Sequence, residues 1–118
     1  MDVYTCRAKS LRTGKWIYGY PARLDYMTNE LFLVGPEFVS QRINQDTICR
    51  YTGHEDADGT PIFEHDILHG VFYHMFEDLG TFEVRWNDHA GGFEINTFEP
   101  TKCKILGNIF DNTELMIS

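Results

Sequence analysis

At 118 residues, with 42% hydrophobic and 14% aromatic side chains, the chain has the length of one domain and enough apolar material for a core. Ten Lys and Arg against eighteen Asp and Glu give a net charge of −8, too acidic for a generic nucleic-acid coat. Plentiful aromatics and aperiodic glycine exclude collagen, a coiled coil and a disordered tail.

Apolar and polar residues alternate along much of the chain, the period-2 mark of half-buried strands. Tyr4, Cys6 and Ala8 alternate with Thr5, Arg7 and Lys9 in a first strand, and residues 11–14 read as a turn. A second strand over 15–20 puts Trp16, Tyr18 and Tyr20 on one face, and Pro21 belongs at a strand end or edge. The stretch 21–46 is the least regular, with one candidate strand at 30–34. Residues 47–52 form the next strand, and Asp58-Gly59 is a turn signal because both residue types tolerate positive φ. A strand over 62–68 continues into 71–73, and 77–80 turns the chain. Phe82, Val84 and Trp86 give the clearest alternation; a loop at 89–92 leads to Phe93 and Ile95, which start another strand. The last strand is 103–109, where Gly107 marks a weak point or bulge. Asp111 followed three residues later by Glu114 resembles a capping box and predicts a short C-terminal helix of one or two turns. The fold expected is mainly β: a small roll or barrel, one domain over 1–118.

Cys6, Cys49 and Cys103 are an odd number, widely spaced and without a Cys-x-x-Cys pair, so buried free thiols in a cytoplasmic protein are expected. No apolar run reaches the ~18–20 residues of a membrane-spanning helix, and no secretory signal is expected at the N-terminus. Residues 1–25 hold five basic and two acidic residues, whereas 26–118 hold five and sixteen. Attraction between these oppositely charged segments, within a chain or between copies, follows.

Four constellations invite a chemical reading. Asp56-Ala57-Asp58-Gly59 resembles part of a calcium loop, but the EF-hand frame puts His54 and His65 at its anchor positions, so a hairpin turn is the better account. His65 and His69 lie four apart without a third metal ligand or the Glu of the protease signature; no metal and no cofactor are expected. Glu64 and Asp66 would share a face of a strand, a pairing that acts as acid and base only inside a pocket. No nucleophile motif, phosphate loop or dinucleotide fingerprint accompanies them, and no enzyme is expected. Finally, Arg7, Lys9, Arg12 and Lys15 beside Trp16, Tyr18 and Tyr20 match the footprint of single-strand nucleic-acid binding, in which bases stack on rings. The competing account makes the rings one wall of the core and leaves the charges in water.

Several motifs taken in order resemble the YopX family of phage and prophage proteins. They are Cys6-Arg7-Ala8-Lys9, Gly14-Lys15-Trp16-Ile17-Tyr18-Gly19-Tyr20, Tyr51-Thr52-Gly53, and the run from Asp58-Gly59-Thr60-Pro61 to Asp66-Ile67. Val84-Arg85-Trp86, Gly91-Gly92-Phe93 and the run from Ile105 to Leu115 complete the series. The resemblance implies a β-rich fold with an SH3-like roll, self-association, and no established activity; no catalytic residue carries over. The resemblance spans nearly the whole chain except 21–46 and 69–80; one departure that matters is His65 where glycine is usual, and a β-carbon there argues against a left-handed backbone.

The residues expected to be structural are Gly53, Asp58, Gly59, Asp66, Trp86 and Gly107. The leading functional expectation is a non-enzymatic interaction module acting on a host or phage protein. The second is a single-stranded nucleic-acid-binding module using Arg7, Lys9, Lys15, Trp16 and Tyr18.

Overall fold

A computed structural model describes residues 1–23, 30–36, 39–71, 78–89, 91–93 and 99–116. Its elements are mainly β, and the chain divides into two compact units, Met1–Tyr51 and Thr52–Ser118.

In the first unit, β1 (Cys6–Lys9), β2 (Trp16–Ala22), β3 (Phe32–Val34), β4 (Ser40–Arg42) and the start of β5 (Cys49–Glu55) form a sheet in the order β4-β3-β2-β1-β5. The β1–β2 hairpin pairs Arg7 with Tyr18, Ala8 with Ile17 and Lys9 with Trp16. Gly14, at φ 71, closes the turn, and its N–H donates to the Ser10 carbonyl at 2.8 Å. Strict alternation then sorts the side chains. Cys6, Ala8, Ile17 and Leu33 fall on one face and pack with Leu31, Ile43 and Ile48 as the core. Trp16, Tyr18 and Tyr20 fall on the opposite face, so the rings are not a wall of this core. A 3-10 turn at Gln45–Thr47 is tied to β1 because Thr47 Oγ1 accepts the Lys9 N–H at 2.8 Å.

In the second unit, the end of β5 lies beside β6 (Pro61–Phe63), across a turn with Gly59 at φ 81. β7 (Asp66–Val71), β8 (Asp78–Glu83) and β11 (Lys104–Asn108) form an antiparallel sheet in the order β11-β7-β8. β9 (Trp86–Asn87) pairs with β10 (Gly92–Phe93), and Trp86 meets Phe93 edge-to-face at 5.1 Å. Ile62, Leu68, Val84 and Cys103 are the core here, backed by Phe82, Phe93 and Ile105.

The structure departs from the expected elements in several places. The strand over 62–68 is two strands, broken by a turn at Glu64-His65. Asp66 Oδ2 accepts the Phe63 N–H at 2.8 Å across that turn. The alternation 82–86 likewise ends at Glu83, because Val84 leaves the ladder to exchange backbone bonds with His65 and Asp66. Asp78 to Gly80, expected as turn, begins β8 instead. The C-terminal helix is a four-residue 3-10 turn, Thr113–Met116, and no α-helix occurs among the described residues. Asn108 accounts for this, since its Oδ1 accepts the N–H groups of Phe110 and Asp111 and folds the chain into turns. Four residues are also too few to meet the nucleation cost of an α-helix. The predicted bulge in β11 is present as a register shift between Ile105 and Gly107. Phe72, Tyr73, Glu77 and Ile95 lie outside the described residues.

Candidate interaction surface

The aromatic residues of β2 define the most distinctive surface of the first unit. Tyr18 and Tyr20 are 48% and 47% exposed, large values for aromatic side chains on a strand. Trp16, on the same face, is half-buried, and cations overlie its ring: the Arg7 guanidinium at 4.7 Å and the Lys9 ammonium at 5.4 Å. Arg7 is only 8% exposed. The structure therefore brings Arg7, Lys9 and Trp16 together as a cation–π brace, while Lys15 stands exposed at the hairpin turn.

Tyr18 and Tyr20 line an open cleft of about 540 Å³ together with Val34, Pro36 and Asp2. Asp2 is held in place: its Oδ1 accepts the Tyr4 N–H at 2.8 Å, and its Oδ2 accepts the Tyr20 hydroxyl at 3.1 Å. Gly19 is required for this geometry, since a β-carbon there would meet the Val34 carbonyl oxygen at 2.5 Å. Asp2, Val34 and Pro36 carry no signal in the alternation pattern. They reach the tyrosines through the Tyr20–Val34 register and the course of the N-terminal segment.

In the second unit, Asp56, Asp66 and His65 hold turns and packing contacts. Glu64 lies in the turn and Asp66 begins β7, so the two do not share a strand face; Asp66, 1% exposed, closes that turn. His65 has φ 70, left-handed despite its β-carbon, and so corrects the expectation drawn from its residue type. Its Nδ1 lies 2.8 Å from Glu83 Oε2, its ring stands edge-on to Phe110, and its backbone bonds to Val84 and Ile109. His69 is exposed on β7. Asp56 sits beneath the Asp58-Gly59 turn and accepts N–H bonds from Asp58, Thr60 and Ile105. Burial pushes its carboxyl up, but these three bonds, with Lys104 nearby, win and hold it below the usual carboxylate value. Gly53, at φ 84 within β5, and Gly107, against the Asn112 side chain within β11, are irregular points of strands, not turns.

The described residues thus combine mainly-β elements with an exposed aromatic cleft, and the buried Asp56 and Asp66 carboxylates hold turns. Residues 7–117 match the family described as YopX protein, and the chain belongs to the YopX family. A search of curated proteins finds no match.

Proposed function

We propose that this chain is a non-enzymatic interaction module, carried by a phage or prophage and acting in the host cytoplasm, that docks a protein partner on the cleft beside Tyr18 and Tyr20. The observation that carries this reading is the half-exposure of two adjacent same-face tyrosines along an apolar cleft. Exposed aromatic pairs of this kind are the usual anchors of interfaces. Three buried cysteines outside any disulfide are compatible with a reducing compartment. Attraction between the basic N-terminal segment and the acidic remainder supports self-association alongside partner binding.

The test is capture from host lysate by the tagged chain, with and without nuclease, beside a Tyr18→Ala/Tyr20→Ala variant. A protein retained after nuclease by the parent chain and lost by the variant is the expected outcome. Equal capture by both chains rejects the reading.

A second reading, single-stranded nucleic acid on the same face, is favoured by the cations over Trp16. It predicts binding to an oligothymidine that falls steeply with salt and is lost in Lys9→Ala/Lys15→Ala. Burial of Arg7 and the carboxylate of Asp2 both weigh against it.

A further inference from the structure

We infer that the cleft beside Tyr18 and Tyr20 is a receptor for an arginine side chain of the partner protein, gripped between the tyrosine rings and the Asp2 carboxylate. This inference rests on the interaction-module reading and names the chemistry of its partner. Same-face positions two apart on a strand stand about 6.8 Å from each other. Tyr18 and Tyr20 thus present two neighbouring rings, each about half in solvent. A planar guanidinium stacks on such rings more readily than a compact ammonium does, and its fork also fits a carboxylate.

Asp2 is the one charged side chain among the residues that line the cleft. Its position is fixed by the Tyr20 hydroxyl and the Tyr4 N–H, one bond to each oxygen. A carboxylate oxygen has lone pairs for more than one bond, so Asp2 can accept a guanidinium as well. Val34, Pro36 and the tyrosine rings provide an apolar wall for the methylene stem of the ligand, which long cationic side chains favour. The same sheet face already uses this chemistry internally, with Arg7 over Trp16 at 4.7 Å. Charge complementarity selects the sign of the ligand. A phosphate brought to the cleft would meet the Asp2 carboxylate, the group that a guanidinium satisfies, so the local charge at the lining favours arginine.

The test is an amide NMR titration of the full chain with an acetylated Gly-Ser-Pro-Arg-Pro-Ser-Gly amide and with the same peptide carrying neutral citrulline for arginine. The arginine peptide is expected to shift the resonances of Asp2, Tyr18 and Tyr20, and the citrulline peptide to bind about five-fold more weakly. Asp2→Asn should weaken the arginine peptide by about the same factor while leaving the dispersed spectrum of the fold intact. Equal binding of the two peptides, or undiminished binding by Asp2→Asn, overturns the inference. So does an oligothymidine that shifts the same tyrosines where the peptide does not, an outcome that favours nucleic acid. If neither peptide binds while lysate capture still depends on Tyr18 and Tyr20, the arginine assignment alone fails. If capture ignores both tyrosines, the interaction reading itself is lost.

Discussion

His65 is the only described residue other than glycine with a positive φ, and four residues hold it there. Glu83 takes its ring nitrogen, Phe110 packs against its ring, and its backbone bonds to Val84 and Ile109. A left-handed backbone costs an L-residue roughly 1–2 kcal/mol, which these contacts offset. Alanine at this position keeps the backbone cost and loses the side-chain contacts, whereas glycine loses both together. Urea unfolding should therefore rank His65→Ala below His65→Gly by about 1 kcal/mol. Asp56 makes the opposite kind of contribution, electrostatic and pH-dependent. Its folded-state pKa is lowered from 3.8, so the associated stability is complete above that value and is lost as the pH falls through the folded pKa. Asp56→Asn lacks this ionisation, so the gap in urea midpoint between parent and variant should shrink as the pH falls from about 6 to about 3. Asp56→Ala, which strands three backbone donors in a buried site, should cost about 3 kcal/mol near neutral pH.

At the scale of elements, the strands that follow local alternation were legible and those that depend on a distant partner were not. β1 and β2 show it well: Cys6, Ala8 and Ile17 alternate with Arg7, Lys9 and Trp16, and the hairpin forms as the pattern requires. Alternation does not say which face is covered, and here the smaller residues meet the core while Tyr18 and Tyr20 face outward. The break between β6 and β7 was hidden because Ile62, Phe63, Ile67 and Leu68 are all buried, a run that reads as one strand. Its cause, the Asp66 carboxylate reaching back to the Phe63 N–H, is a side-chain bond that periodicity does not encode. For the same reason the rings of the candidate cleft were visible in the sequence and Asp2, Val34 and Pro36 were not. Gly107 was read as a weak point and is a close approach as well, since a β-carbon there collides with the Asn112 side chain. Gly107→Ala should lower stability by about 1–3 kcal/mol, measured as a loss of melting temperature.

For the molecule as a whole, charge follows the structural division. Residues 1–51 carry seven Lys and Arg against five Asp and Glu, whereas residues 52–118 carry three against thirteen. The first unit is thus net +2 and the second net −10, although the sequence-level boundary fell near residue 25. Each unit also has its own apolar cluster, around Leu33 in one and Leu68 in the other. Leu33→Ala and Leu68→Ala should each cost about 2–5 kcal/mol. Amide exchange should show the first loss mainly within residues 1–51 and the second mainly within 52–118.

The cysteines give this division a chemical readout. All three are buried: Cys6 and Cys49 in the first unit, Cys103 in the second. Cys49 and Cys103 each direct their Sγ at a backbone carbonyl at 3.2 Å. An alkylating reagent reaches such a thiol only when the surrounding chain opens, so the rate of modification at each cysteine becomes a clock for the opening of its own unit. The protein thereby holds three native reporters of its opening kinetics, readable by mass spectrometry without an engineered label.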